Sequence, residues 1–446
     1  MTTSSDQVVS AAQNGAAGVR RAPRVLTVLP DFPFPAVTGL HLRMVSNLEL
    51  VKRLGCYSAL LYFSTEEHAV MADTSRPLAG LCDEVRHGGR RFAYADRSVG
   101  SRVVDKMDFL LRGLVCRPAE TYPFSILYDR IGARELILAE AERVQADFVV
   151  LPSFMVHYAR TLTRRKFRVI ADAIDVLTEL TARLLSSSAQ GPVGKLGLYA
   201  NYVACRAQER LFLPECSEIW ATSSPEAGTL SAIAPGVNVV VVANSLDEQA
   251  FDPDPFMADA NVGFIGTYSS LPNLAAAVFL AEQVFPMVIR DHPGARLKLA
   301  GANLPPADEA RFRKMEYVDL LGAVTDSDEL YRECRVIALP VFVRGGVPLK
   351  IVEAFARAKA VVACPELVEG LPVRDGYDVL VRANAGEFAK AIASLLRDDA
   401  LCRSLAMNAR GTFLHNWSRS HAEAVMRRSS VLAGQSTLQM RELIHD

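Results

Sequence analysis

Short apolar segments alternate with longer amphipathic segments along most of the chain. The short segments are rich in Val, Ile and Leu, and they lack the strict polar alternation of a half-exposed strand. This rhythm predicts repeated β-α-β units whose parallel strands are covered by helices on both faces. The predicted strands are 25–30, 57–63, 148–152, 168–175, 218–224, 239–245, 262–267, 295–301, 318–322, 336–342, 360–365 and 379–381. The predicted helices include 42–53, 133–145 and 193–213.

The predicted strands fall into two groups, separated by a segment near 247–254 in which Asp and Pro gather. A chain of 446 residues is too long for one ordinary core and suits two domains of about 200 residues each. We therefore expect an α/β fold with two doubly wound, Rossmann-like parallel sheets. The expected units are a disordered leader (1–22), an N-terminal domain (23–246), a C-terminal domain (255–414) and a last helical stretch (415–446).

Composition narrows the function classes. The formal net charge of −1 gives no overall attraction for nucleic acid, so we expect no nucleic-acid partner. No apolar run reaches the ~18 residues that span a bilayer, which leaves at most peripheral membrane contact. The eight cysteines are scattered without a C-x-x-C pair, as expected for reduced thiols in a cytoplasmic enzyme. The sequence leaves the oligomeric state open.

Glycines recur where the strands of the second half end. Gly266, followed by Thr267, ends one predicted strand, and Gly301 and Gly322 end the next two. Parallel sheets bind ligands at the carboxyl ends of their strands, and glycine lets the backbone turn tightly or approach a ligand there. Ordinary β-α turns also use glycine, so the series as a whole, and not any one position, predicts a nucleotide crevice.

The densest chemical signal lies at 341–354. A strand ends near Phe342, Gly345 and Gly346 form a loop, and a helix begins near Pro348. The free N–H groups and the positive dipole end of this helix favour an anion. Arg344 and Lys350 flank the same point, which predicts a diphosphate site, and Glu353 lies one turn further on, suited to a ribose. A surface Lys350–Glu353 pair is the alternative, but it leaves the Arg-Gly-Gly unexplained.

At this segment the chain resembles the glycosyltransferase family 4-like (group 1) group of the GT-B fold. The resemblance covers about residues 215–420. It is carried further by Asn244-Ser245-Leu246-Asp247 with Phe251, by 262–267 followed by Pro272-Asn273, by Phe285-Pro286 and 293–297, and by Glu353-Ala354, Val361-Val362 and 369–371.

The resemblance implies a hexosyltransferase with GT-B architecture, whose two domains face each other across a cleft. The second domain would bind a nucleoside-diphosphate sugar, the first would bind the acceptor, and the final helix would cross back to the first. It also implies retention of anomeric configuration, in which the leaving diphosphate helps to accept the acceptor proton. The chain departs from the group at Gly345, where many members carry glutamate, and at Thr267 and Tyr268, where many carry Arg and Lys. Arg344 and Lys350 would then have to neutralise the charge of the donor's phosphates.

The first domain offers three candidates. The loop 33–39, which ends at Gly39, follows the first strand and is either a donor-binding loop or an ordinary Pro-rich turn. His157 follows the strand 148–152, where related enzymes keep a histidine near the reacting sugar; a structural histidine is the alternative. Asp175 ends the strand 168–175 and either acts on an acceptor hydroxyl or caps the next helix.

We therefore expect transfer of a sugar to a sugar, lipid-linked or natural-product hydroxyl, without a metal ion, since no D-x-D motif ends a strand. Two other functions share the architecture. A nucleotide-sugar epimerase would need more carboxylates in the cleft, and a degenerate, non-catalytic subunit would bind only nucleotide or a partner enzyme.

Overall fold

The computed structural model describes residues 21–34, 39–64, 78, 80–90, 131–187, 191–251, 253, 259–324, 327–342 and 348–429. Over these residues the chain forms two parallel sheets covered by helices, in agreement with the predicted fold class.

The first sheet has seven parallel strands in the order β3-β2-β1-β4-β5-β6-β7. The strands are β1 (Arg24–Leu29), β2 (Tyr57–Ser64), β3 (Glu84–Arg90), β4 (Phe148–Pro152), β5 (Arg168–Ala173), β6 (Glu218–Ala221) and β7 (Asn238–Val241). The helices are α1 (Gly39–Arg53), α2 (Ala133–Arg143), α3 (Ala159–Arg164), α4 (Leu177–Ser187), α5 (Pro192–Phe212) and α6 (Ser224–Ile233). The strand order reverses between β1 and β4, which makes this the point where a doubly wound sheet opens a crevice.

The second sheet repeats the pattern with six parallel strands in the order β10-β9-β8-β11-β12-β13. The strands are β8 (Asn261–Ile265), β9 (Arg296–Ala300), β10 (Val318–Gly322), β11 (Val336–Leu339), β12 (Ala360–Ala363) and β13 (Leu380–Val381). The helices are α7 (Leu271–Val278), α8 (Phe285–Asp291), α9 (Pro306–Phe312), α10 (Asp328–Glu333), α11 (Leu349–Ala356), α12 (Pro365–Val368), α13 (Ala385–Arg397), α14 (Asp399–Asn416) and α15 (Arg419–Arg427). Here the order reverses between β8 and β11.

One helical segment of the described residues, Leu271–Asp291, is long and apolar enough to cross a membrane by length and composition. It consists of α7 and α8 joined by a π-helical turn, Phe279–Val284. Its side chains Leu280, Val284 and Phe285 are fully buried in the core of the second domain. One side of the segment therefore packs into the core of the second domain.

The chain passes between the domains twice, and the two passages lie side by side. The Leu246 N–H donates to the Trp417 carbonyl and the Arg419 N–H donates to the Leu246 carbonyl, each at 2.9 Å. Beyond this point α15 packs on the first domain, where Ala422 and Met426 join a core cluster of that sheet.

Candidate functional site

Three glycines bring the strand ends of the second sheet close together. The Gly266 N–H donates to the Ala300 carbonyl at 3.0 Å, and the Gly301 N–H donates to the Gly322 carbonyl at 2.7 Å. Gly301 has φ +146°, and a Cβ there would lie 1.9 Å from the Gly266 oxygen. Only glycine fits at Gly301, so the backbone forms a tight edge at the carboxyl ends of β8, β9 and β10.

Lys350 lies at the point where the second sheet reverses its strand order. It belongs to the first turn of α11, which follows β11, and its Nζ donates to Asn273 Oδ1 at 3.0 Å. Asn273 belongs to the first turn of α7, which follows β8, and its Nδ2 donates to the Thr267 carbonyl at 2.9 Å. Burial lowers the pKa of Lys350, and the nearby Glu353 partly offsets this effect. The two strands that flank the crevice are thus joined by one amide and one ammonium group.

Glu353 lies one turn beyond Lys350 and is half-buried. The Tyr331 hydroxyl donates to Glu353 Oε2 at 3.3 Å. Burial raises the pKa of the Glu353 carboxyl, while Arg357, Tyr331 and Lys350 oppose the rise. Arg357 donates to Asp328 Oδ1 at 2.6 Å, and its guanidinium lies 4.4 Å from the centre of the Tyr331 ring. The side chains of Tyr331, Arg357 and Asp328 thus hold Glu353 in place.

The first domain contacts this site at the start of α1. A Cβ at Gly39 would lie 3.6 Å from Leu349 Cδ1, so the helix ends that begin α1 and α11 meet across the cleft. A second contact joins Gly370, which has φ +71°, to Pro225 at the start of α6. Arg344, Gly345 and Gly346 lie outside the described residues; Lys350, Glu353 and Gly39 are the predicted residues that the structure brings together here.

A buried ion pair fills the corresponding point of the first sheet. Arg43 Nε donates to Asp172 Oδ1 at 2.8 Å, and Asn47 Nδ2 donates to Asp172 Oδ2 at 2.9 Å. Arg43 also donates to the Val242 carbonyl at 2.7 Å. A cavity of about 10 Å³ beside this network, lined by Thr27, Asn47 and Asp172 among others, leaves room for no more than a water molecule.

Asp175 lies beyond the end of β5, on the loop that leads to α4. Burial and the neighbouring Glu226 raise the pKa of Asp175 to about 6, against weaker opposing effects of Arg183 and Arg43. It does not cap α4, because the N–H groups of Leu177 and Thr178 at the start of that helix donate to Glu209. Glu209 accepts from the backbone N–H of Leu177 at 2.7 Å. The structural alternative for Asp175, helix capping, is therefore wrong, whereas its action on an acceptor hydroxyl stays a prediction.

His157 lies in a 3₁₀ turn, Ser153–Tyr158, directly after β4, and is 2% exposed. Burial, assisted by Arg134, lowers its pKa to about 3. The imidazole is therefore neutral at ordinary pH. Its role near a reacting sugar stays a prediction.

Among the described residues, no group of three or more His, Cys, Asp or Glu side chains is placed to hold a metal ion. The absence of a metal requirement remains an expectation.

Sequence reasoning missed the role of two site residues, Asn273 and Tyr331. Asn273 was part of a recognised Pro-Asn pair, and a polar residue in the first turn after a strand end is a usable signal. Tyr331 carries no such signal, because its contact with Glu353 joins α10 to α11.

Residues 259–398 match the family described as Glycosyl transferases group 1. A curated relative from Campylobacter jejuni, N,N'-diacetylbacillosaminyl-diphospho-undecaprenol alpha-1,3-N-acetylgalactosaminyltransferase, is 34% identical over 109 residues. That match spans 24% of this chain and 28% of the relative's length.

Solved structures match over nearly the whole chain. Sucrose-phosphate synthase from Thermosynechococcus elongatus has a TM-score of 0.59 at 15% identity and covers 96% of this chain and 100% of its own. TarM of S. aureus has a TM-score of 0.64 at 9% identity, with coverages of 92% and 98%. HepE of Anabaena, solved with UDP, has a TM-score of 0.57 at 12% identity, with coverages of 90% and 97%. The chain thus has the GT-B fold, and residues 259–398 of its C-terminal domain match the glycosyl transferases group 1 family.

Proposed function

We propose that this protein transfers a sugar from a nucleoside-diphosphate sugar to a hydroxyl acceptor, with retention of anomeric configuration. The observation that carries the proposal is Lys350, held by Asn273 at the start of α11, at the reversal point of the second sheet. A cation, free helix N–H groups and a crevice coincide there, and this combination suits a diphosphate. Gly39, at which an added Cβ would lie 3.6 Å from Leu349 Cδ1 across the cleft, would let first-domain backbone approach the same ligand.

In this proposal the chain acts by positioning and by stabilising charge. Lys350, with Arg344 and the N–H groups of Gly345 and Gly346, would neutralise the negative charge that develops on the departing diphosphate. An anion beside Lys350 would also favour its charged form, which burial alone disfavours. Glu353, one turn further on, would accept hydrogen bonds from the ribose hydroxyls. Thr267, Gly266 and Gly322 would line the donor side of the crevice.

Under retention, the leaving diphosphate accepts the acceptor proton, so no strong protein base is required. If the reaction inverts, Asp175 is the better placed general base, because His157 is only 2% exposed. The partial similarity to a transferase that acts on a diphospho-undecaprenol-linked saccharide supports a lipid-linked acceptor. We further propose that the enzyme works without a metal ion and on the cytoplasmic side of the membrane.

The first experiment is a thermal-shift screen of the full chain against UDP, GDP, ADP, dTDP and CMP. A ligand at a hundredfold excess over its Kd stabilises the native state by about 2.7 kcal/mol. We expect one nucleoside diphosphate, with UDP first in view of the HepE complex, to shift the wild type. The response should be strongly reduced in Lys350→Met and Asn273→Ala. Lys314→Met, which replaces an exposed lysine two residues beyond α9, serves as the control and should respond like the wild type.

A second experiment tests catalysis. The matching nucleotide sugar is incubated with a polyprenyl-diphosphate-linked saccharide, and the product is analysed by mass and by the anomeric proton signal. An equal response of Lys350→Met and wild type in the first screen would refute the diphosphate site. Nucleotide binding without any transfer would favour the non-catalytic subunit instead.

A further inference from the structure

The helical hairpin α4–α5 of the first domain exposes an apolar face. The exposed fractions are 48% for Leu184, 59% for Leu196 and 54% for Tyr199, with Val203 at 38%. In α5 the last three follow one another at spacings of three and four residues, so they lie on one face of the helix. The opposite side of α5 buries Cys205, Gln208 and Phe212. A surface helix normally turns polar residues to the solvent, so an apolar outer face indicates an interaction surface.

The exposed charges on this hairpin are all positive. Its sequence from 177 to 212 contains four basic residues, and all of them are exposed: Arg183, Lys195, Arg206 and Arg210. The same stretch contains two acids, and both are engaged. Glu209 is fully buried and caps α4, and Glu179 accepts a hydrogen bond from the Thr229 hydroxyl at 2.7 Å. Arg206 and Arg210 continue the face that carries Tyr199 and Val203. Apolar side chains among cations complement the headgroup region of an anionic bilayer.

The hairpin also extends from the cleft side of the domain. α4 begins directly after the carboxyl end of β5, which is the edge that faces the cleft. α5 has 21 residues and is about 31 Å long, whereas the six-residue β5 spans about 20 Å. Because α5 ends shortly before β6 begins, the excess of about 11 Å, or about seven residues at its start, projects beyond the sheet edge. Leu196 lies in this projecting part of α5, and Tyr199 lies at its inner end.

We propose that the α4–α5 hairpin docks on a lipid bilayer that contains anionic lipids. Leu184, Leu196 and Tyr199 enter the headgroup region, and Arg206 and Arg210 lie near lipid phosphates. The docked hairpin holds the acceptor side of the cleft at the membrane, where a lipid-linked acceptor would enter. This last consequence rests on the proposed function, whereas the docking itself does not. The near-zero net charge of the whole chain does not reveal this patch, because the opposing charges lie elsewhere in the sequence.

The test is co-sedimentation of the full chain with vesicles, in the absence of substrates. One vesicle type is phosphatidylcholine alone and the other is phosphatidylcholine mixed with phosphatidylglycerol. We expect binding to the mixed vesicles, weakened by salt. Leu196→Glu/Tyr199→Glu should lower the partition at least about tenfold, and Arg206→Glu/Arg210→Glu should lower it about tenfold or more. Met407→Glu/Leu414→Glu, on the exposed face of α14 with exposures of 51% and 40%, is the matched control and should bind normally.

Binding that is equal for the wild type and Leu196→Glu/Tyr199→Glu would overturn the proposal, as would no binding to either vesicle. A wild type that elutes as a dimer, dissociates on Leu196→Glu and ignores vesicles would show that a second copy covers this face, which also overturns it. Nucleotide-induced thermal shifts of the same variants should match the wild type. Loss of vesicle binding and failure of the nucleotide site are therefore separate results.

Discussion

Replacing Gly301 by alanine tests the close contact between the ends of β8 and β9. The new Cβ would lie 1.9 Å from the Gly266 carbonyl oxygen, and the residue would have to keep a φ of +146°. Non-bonded carbon and oxygen atoms require more than 3 Å, so the two strand ends must separate by more than about 1 Å. The hydrogen bond from the Gly266 N–H to the Ala300 carbonyl, at 3.0 Å, crosses this gap.

The expected cost has two parts. A strained backbone costs about 1–3 kcal/mol, and a broken buried hydrogen bond costs about 1–3 kcal/mol. Gly301→Ala should therefore lower the free energy of unfolding of the second domain by about 2–6 kcal/mol. Gly322→Ala is the matched control, because its φ is +70° but nothing lies within 4 Å of the new Cβ. It should cost only about 1–2 kcal/mol, the price of the left-handed conformation.

The assay is urea unfolding followed by tryptophan fluorescence. Trp417 packs edge-on against Phe355, at 6.2 Å between ring centres, and so reports on the second domain. A displaced Gly266 also loosens Thr267, whose carbonyl holds Asn273 at 2.9 Å. Weaker nucleotide binding should therefore accompany the loss of stability in Gly301→Ala. Equal unfolding free energies for the two variants would show that the strand ends are not in contact, and the reasoning would be refuted.

Three further substitutions probe the first domain, and each is measured by urea unfolding. Asp175→Asn should stabilise the protein by about 1–3 kcal/mol at pH 7.5 and by nothing near pH 4. Because folding raises the pKa of Asp175 from 3.8 to about 6, its ionisation destabilises the folded state increasingly as the pH rises through this range. An effect of the same size at both pH values would contradict this. Asp172→Asn should destabilise the protein by about 3–5 kcal/mol, because it leaves buried Arg43 without its carboxylate. The control Asp319→Asn, in the half-exposed pair with Arg296, should lower the free energy of unfolding by no more than about 1 kcal/mol. Similar losses for the two variants would argue against the buried pair. Glu209→Gln should cost about 1–2 kcal/mol, since an amide cannot accept from both N–H groups at the start of α4, and an unchanged midpoint would show that the cap is dispensable.

The hydrophobic pattern predicted twelve of the thirteen strands in the described part of the chain to within a few residues, because both faces of a covered parallel strand must be apolar. The exception is β3, Glu84–Arg90, at the edge of the first sheet. Its sequence, EVRHGGR, is polar because an edge strand can leave much of its surface in water. Helix α1 also begins at Gly39, three residues before the predicted start, where the chain meets α11 across the cleft.

The candidate site was predicted less completely than the fold. Lys350 and Glu353 could be predicted, because in a parallel sheet a helix that begins after a strand end indicates a ligand-binding edge. The link from Lys350 to Asn273 spans 77 residues and could not be predicted, since it depends on which two strands flank the reversal point. The burial of His157, which is 2% exposed, was equally hidden, because it depends on tertiary packing that the pattern of the strand 148–152 does not show.

The two passages between the domains lie side by side at Leu246 and Ser418, which form a parallel β-bridge, and they determine how the cleft can move. A single tether would leave one domain free to bend and twist in any direction relative to the other. Two neighbouring crossings, joined by the backbone hydrogen bonds of Leu246 with Trp417 and Arg419, define a single hinge axis that runs through both of them. When the domains bend about this axis the backbone hydrogen bonds are kept, whereas a twist of one domain across the axis breaks them. Helix α15 packs on the first domain and so holds the second crossing in place. Removing this helix would allow the domains to move relative to each other about more than one axis.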